Sequence, residues 1–338
     1  MKAVIFPRPG EFEVRDIEVP EINDNEVLIR NSYVGFCGTD LKIFKGEYVT
    51  VFPLIPGHEF AGVVEKAGKN ITGFKKGQRV AVEHTIACGT CYFCKRNEQN
   101  LCINRGSFGT TANGGFAEYT KIPAFHLHHL SDKISMKEAA LQEPLACTIF
   151  ALEKVNIRFG DKVLIFGAGS TGLILLQLLK IRGVSGITVV DIDEEKLKTS
   201  RNFGADEALI NDENLDNKLK SISEYNFDIV IDATGISGIC EKLFKYINKN
   251  GKVLFFGICN QEEKISISPF QITKNDLSVF GSFSCNRNTA QALEMLEGKK
   301  INLEGLISHE FKLTDFAEAF SLAKSGKFSK IIFNCSGE

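Results

Sequence analysis

The segment Val163–Leu179 (VLIFGAGSTGLILLQLL) does most to limit what this chain can become. It carries no charge, yet three glycines, a serine and a threonine fall in its first ten residues. A membrane span needs about 20 apolar residues. A strand (VLIF), a glycine turn and a helix (LILLQLLK) explain it better. In Gly167-Ala168-Gly169-Ser170-Thr171-Gly172 the first glycine allows a tight turn and the second lets backbone approach a pyrophosphate. The third lets the helix pack closely on the strand. GxGxxG alone is a weak signal, but here the strand before it and the helix after it supply the required context. The helix N-terminus then offers free N–H groups to an anion. Asp191 closes the next strand, nineteen residues after Gly172. A carboxylate there accepts from a ribose 2′-hydroxyl and repels a 2′-phosphate, so NAD is expected over NADP. Lys196 is a further cofactor candidate, although at the acidic helix start Asp193-Glu194-Glu195 it also reads as a solvated face residue.

Around this unit, strands alternate with helices. Val163–Phe166, Ile187–Asp191, Ile229–Asp232 and Val253–Phe256 read as strands. Ser170–Arg182, Glu194–Phe203 and Cys240–Ile247 read as helices. This rhythm predicts a parallel sheet of βαβ units. Before about residue 148 the chain reads instead as short strands and turns, including 27–34, 61–67 and 79–82. The last fifty residues add a helix over 314–324 and a strand over 330–333. The chain is 338 residues long, which at about 150 per domain suggests two.

Ten cysteines would form a disulfide framework in a secreted protein. The opening MKAVIFPRPG is charged at Lys2 and Arg8, so a cytoplasmic, reducing setting is expected. There, clustered cysteines bind metal or do chemistry. Cys88, Cys91, Cys94 and Cys102 suit a closed tetrahedral, structural zinc site. The bacterial ferredoxin run has three residues before its last cysteine and a proline after it. Here seven residues intervene and Ile103 follows, which disfavours an iron–sulfur cluster. With a net charge of −2, no nucleic-acid partner is expected. No membrane partner is expected either.

Further donors recur outside that cluster: Cys37 in Gly35–Asp40, His58 and Glu59 after Pro56-Gly57, and Glu143 before Pro144. Catalytic zinc takes three such ligands and keeps one position open. Spacing alone leaves open whether these residues converge. A histidine after Pro-Gly is more often a turn residue.

Taken together, GFCGTD, PGHEFAGVVEKAG, GQRVAV, the four cysteines, GGFAEY, EPLAC and VLIFGAGSTG resemble the zinc-dependent medium-chain dehydrogenases. Within them the chain is most similar to the polyol (sorbitol, arabinitol) dehydrogenases and relatives acting on sugar-alcohol phosphates. The resemblance implies an α/β protein with a GroES-like β-rich catalytic domain over 1–147 and 286–338. A Rossmann doubly wound parallel-sheet domain for NAD would span 148–285. It implies two zinc ions per chain and a homodimer or homotetramer.

Residue by residue, Cys37 and His58 match the catalytic zinc ligands, and Glu59 the adjacent carboxylate. Glu143 stands where polyol enzymes carry a glutamate bound to zinc or to its water. Asp40 matches the residue that orients the histidine ligand, and Thr39 the hydroxyl that starts a proton relay to the nicotinamide ribose. Phe283 to Asn286 corresponds to the region entering the substrate pocket. The implied chemistry is hydride transfer between a secondary hydroxyl of a pentitol or hexitol and NAD, giving a ketose. D-arabinitol is the favoured substrate. A sugar-alcohol phosphate, a simple secondary alcohol and threonine are the alternatives.

Two positions depart from the pattern. Lys42 stands where many relatives end the relay with histidine. Ser284 replaces an arginine of sorbitol dehydrogenases, with Arg287 near but not aligned. A phosphate would be met by Lys42, Lys45 or Arg287. His84, His126, His128, His129 and His309 read as surface or packing residues. Cys147, Cys240, Cys259, Cys285 and Cys335 read as small buried hydrophobes.

Overall fold

The computed structural model describes residues 1–336. The chain forms two compact units, Met1–Cys147 with Cys285–Glu338, and Thr148–Ser284. The crossover back to the first unit thus falls one residue before the boundary expected from sequence.

The second unit holds six parallel strands. Their order is Glu207–Ile210, Gly186–Asp191, Lys162–Phe166, Phe227–Asp232, Ile247–Phe255 and Ser278–Gly281. Numbered along the chain this is 3-2-1-4-5-6, the doubly wound dinucleotide-binding order. Strands covered on both faces become continuous apolar runs. Val163, Leu164 and Ile165 are accordingly fully buried. Ile239 and Leu243 of the helix Ser237–Tyr246 pack with Leu164, Phe166 and Val230 in one core. The order places the ends of Lys162–Phe166 and Phe227–Asp232 side by side. The glycine turn leaves the sheet from the first of these.

The first unit is built on a seven-stranded sheet. Its path runs Ile307–Lys312, Lys330–Asn334, Glu26–Gly35, Glu59–Ala67, Arg79–Val82 and Leu127–His129, with Tyr119–Pro123 also paired to Glu26–Gly35. Its core is rich in phenylalanine: the chain has 27 and no tryptophan. Phe6, Phe36, Phe60, Phe116, Phe316 and Phe333 are fully buried. Rings meet edge to face, as Phe12 and Phe316 do at 5.1 Å and Phe116 and Phe316 at 5.5 Å. That geometry sets the positive ring edge against the negative face. Two pairings position functional groups. Glu26–Gly35 delivers the chain to Cys37, and Glu59–Ala67 lies antiparallel to it with Gly35 opposite Glu59. Lys330–Asn334 borders the same strand on its other side.

Among the described residues, no helix is long and apolar enough to cross a membrane.

Candidate active site

Cys37 caps the helix Gly38–Lys45. Its backbone N–H donates to Asp40 Oδ2 at 2.8 Å, the return half of a capping box. Asp40, fully buried, faces His58 Nδ1 from its other oxygen at 3.7 Å. One carboxylate therefore makes the cap and also faces the imidazole, although Asp40 Oδ1 and His58 Nδ1 are both buried without a hydrogen-bond partner. Burial pushes Asp40 up to about 6, with His58 as the main opposing influence. Cys37 Sγ lies 3.7 Å from Thr39 Oγ1 in the first turn.

Glu59 begins its strand and is 1% exposed. The buried ammonium of Lys330 sits on its carboxylate, 2.6 Å from Oε1. A Cβ at position 35 would come within 2.2 Å of Glu59 Oε2, so Gly35 clears the space that this carboxylate occupies. Ligand atoms of Cys37, His58 and Glu59 all lie within 4.8 Å of one another. Burial opposes charge on His58, but the Cys37 sulfur, Asp40 and Glu143 outweigh it and hold the ring well above the usual imidazole range. Four acidic or thiol groups thus converge on one buried histidine and one buried lysine. A soft and borderline donor set of this kind, short of positive charge, fits a zinc ion.

Glu143, in the first turn of the helix Gln142–Lys154, lies outside that trio. Its Oε1 accepts from Cys147 Sγ at 3.1 Å and lies 3.5 Å from His84 Nε2. Burial raises Glu143, and the charge of His58 opposes this. Burial lowers His84 well below the usual range, with the charge of His58 adding to it, so the ring is neutral. His84 and Glu83 form a second buried group with Cys285. Thr289 Oγ1 donates to Glu83 Oε2 at 2.6 Å. From sequence alone His84 reads as a surface or packing residue, and Cys147 and Cys285 as small buried hydrophobes. Cys285 is indeed buried, whereas Cys147 and Cys259 are only half-buried. Lys330 reads from sequence only as the start of a strand, with nothing local to mark it as Glu59's partner.

In the cysteine lobe, the four sulfurs of Cys88, Cys91, Cys94 and Cys102 also lie within 4.8 Å of one another. Cys88 and Cys94 are 4.0 Å apart. A tetrahedron with Zn–S of about 2.3 Å separates sulfurs by about 3.8 Å, so the lobe fits zinc. Hydrogen bonds from Thr90 draw Cys88 down to about 6, while burial pushes Cys94 up to about 12. Asn286, expected near the substrate, is tied to this lobe: its Oδ1 accepts from Gln99 N at 2.9 Å. Phe283 is 42% exposed, and Ser284 and Arg287 both take left-handed backbone. Lys42 is half-buried within Gly38–Lys45, and Lys45 is exposed.

The glycines of the second unit divide by role. Gly167 turns at φ +107°, and a Cβ at Gly172 would lie 1.9 Å from Gly167 O, so close helix packing demands Gly172. Gly169 has ordinary extended backbone, and a Cβ there would meet no protein atom within 4 Å. The protein's own packing gives no reason for glycine at 169, whereas a backbone-hugging pyrophosphate does. Asp191 Oδ2 accepts from Ala168 N at 2.6 Å, and Oδ1 from Ile192 N and Asp193 N. These bonds clamp the strand end to the glycine turn. Lys196 lies in the first turn of Glu194–Asn202, its N–H on the Asp193 cap.

Comparisons with known proteins show the family and the fold. The family model described as the alcohol dehydrogenase GroES-like domain matches residues 23–132, and the one described as zinc-binding dehydrogenase matches 170–298. The chain is 36% identical to D-altritol 5-dehydrogenase of Agrobacterium fabrum, covering 95% of each protein. It is 33% identical to D-arabinitol dehydrogenase 1 of Uromyces fabae, covering 98% of this chain and 96% of that one. Among solved structures, a zinc-binding dehydrogenase of Sinorhizobium meliloti 1021, bound to NADP, superposes with a TM-score of 0.94 at 27% identity, covering 98% of both.

Proposed function

The chain belongs to the zinc-binding alcohol dehydrogenases of the medium-chain type, an oxidoreductase family, and from that premise we propose that it oxidises a secondary hydroxyl of a pentitol or hexitol to a ketose with NAD. The observation that carries the reading is the convergence of Cys37, His58 and Glu59 within 4.8 Å, beside a separate four-thiol lobe. In these two places zinc would be held, one ion in each. Bound at the first, zinc would supply Lewis-acid polarisation of a substrate hydroxyl, and a nicotinamide dinucleotide at the glycine turn would supply the hydride acceptor.

The chain's own residues do the rest. Asp40, 3.7 Å from His58 Nδ1, stands on that side of the ring and would orient it, leaving the other nitrogen for the metal. Lys330 holds the Glu59 carboxylate among the donors and neutralises part of their charge. Thr39 Oγ1, beside the Cys37 sulfur, would relay the proton that leaves the substrate hydroxyl, accepting it while passing its own hydroxyl proton on toward solvent. Glu143, raised by burial and held by Cys147, offers its carboxyl to a neighbouring hydroxyl of the substrate. Polar groups gathered about the metal-holding residues suit a substrate with several hydroxyls better than an alcohol with one, and this supports a polyol. Asp191 supports NAD over NADP, since a 2′-phosphate would bring about two negative charges against it. A cytoplasmic homodimer or homotetramer accompanies this reading.

Metal analysis tests it. The purified protein should hold two zinc ions per chain. Cys37→Ser should hold one and lose turnover by at least about a thousandfold with its fold intact. Cys94→Ser should lose the other ion and mainly stability. Iron and acid-labile sulfide in the four-thiol lobe would overturn the assignment.

A further inference from the structure

Within the second unit, Cys240 and Cys259 bring their sulfurs to 3.5 Å. Cys240 lies in the helix Ser237–Tyr246 and is buried. Cys259 follows the strand Ile247–Phe255 and is half-buried. Both line a cavity of about 260 Å³ with Ser237, Gly257 and Glu263. The pair is therefore in sulfur contact and reachable by a small molecule. Neither thiol belongs to a metal-holding group.

The loop that carries Cys259 is packed without slack. A Cβ at Gly257 would stand 2.1 Å from Gly235 N, and one at Gly235 would stand 2.6 Å from Ile258 O. Gly235 belongs to the turn Asp232–Gly235, which Asp232 ties together by accepting from Thr234 N, Thr234 Oγ1 and Gly235 N. That turn in its own right abuts the dinucleotide glycines: a Cβ at Gly167 would lie 3.1 Å from Ala233 C and Thr234 Cγ2. Chain neighbours of Cys259 and the closely spaced backbone at Gly257, Gly235 and Ala233 thus lead from the cysteine pair to Gly167.

We propose that Cys240 and Cys259 are an oxidation site, forming a reversible disulfide with a peroxide and thereby weakening dinucleotide binding in the same unit. The Cys259 thiolate, the more exposed, attacks a peroxide oxygen and becomes a sulfenic acid, releasing water after protonation. The Cys240 sulfur then displaces the sulfenic oxygen as a second water. The two sulfurs lose two electrons in total, the peroxide gains them, and both thiol protons end in water. Burial and Asp232 raise Cys240 above the usual thiol range, which suits it to the second step rather than the first. A bonded pair needs about 2.05 Å between sulfurs, so closure shortens the present gap and pulls the 257–259 loop toward the helix. Gly235 has no room to follow without shifting its turn. The cofactor effect rests on reading this unit as the dinucleotide domain.

The test treats the zinc-loaded protein with hydrogen peroxide, blocks free thiols and maps the peptides. A Cys240–Cys259 cross-linked peptide should appear, vanish with dithiothreitol, and be absent from Cys259→Ser. Zinc content should not change at that point. The Kd for NAD should rise at least about threefold on oxidation of the wild type and not in Cys259→Ser. Hydrogen exchange at residues 233–236 should change as well, a readout that needs no cofactor. Absence of the cross-link, with oxidation confined to other cysteines, would overturn the proposal. So would a cross-link that leaves both exchange and NAD affinity unaltered. If the reduced protein binds no NAD, the dinucleotide reading fails, while the cross-link and exchange results still decide this one.

Discussion

Lys330 and Glu59 put a formal ion pair almost wholly out of water, at 4% and 1% side-chain exposure. Removing one partner of such a pair strands the other charge, at a cost of roughly 3–5 kcal/mol. Lys330→Met should therefore lower the unfolding midpoint of the first unit by several degrees. Adding Glu59→Gln should restore much of the loss. Calorimetry at matched zinc content reads both, and a single variant as stable as wild type would show that the pair is not charged. Cys37, His58 and Glu59 were legible because each sits in a short, distinctive string. Lys330 was not: 271 residues separate it from Glu59, and only the adjacency of the strands Glu26–Gly35 and Lys330–Asn334 brings it in. His84 was hidden differently. Nothing local distinguishes a packing histidine from one facing a carboxylate across the fold.

Among elements, those of the second unit were readable because each parallel strand is a continuous apolar run. The strand read as Val253–Phe256 begins earlier, at Ile247, which pairs with Phe227 ahead of an irregularity in register, and it ends at Phe255. The helix Gly38–Lys45 escaped hydrophobic periodicity; its signal was the cap at Cys37 and Asp40 and the left-handed Gly46. The glycine turn supplies a test at this scale. Gly169→Ala meets no protein atom and should cost at most about 1 kcal/mol, as an N-cap change. It should still weaken NAD binding at least about tenfold, because the methyl group enters the pyrophosphate's approach. Gly172→Ala forces its Cβ toward Gly167 O and should cost about 1–3 kcal/mol in stability as well. Melting curves and NAD titrations of the two variants separate these effects. Equal affinity of Gly169→Ala and wild type would place the pyrophosphate elsewhere.

For the whole molecule, the chain forms two units with unlike architectures: one carries the groups proposed to hold metal, the other the glycine turn proposed to take the dinucleotide. The change of rhythm near residue 148 announced that division. The return of the chain after residue 284 was legible only through resemblance, since no linker marks it. Substrate class is a property of the assembled enzyme, and it is the central claim. Its most direct test is kcat/KM, followed by NADH absorbance, for D-arabinitol, xylitol, sorbitol, their terminal phosphates, threonine and 2-propanol under identical conditions. A free pentitol or hexitol should exceed 2-propanol by at least about a hundredfold, as a site with buried acceptors requires. Highest kcat/KM for 2-propanol, threonine or a phosphate would contradict the account.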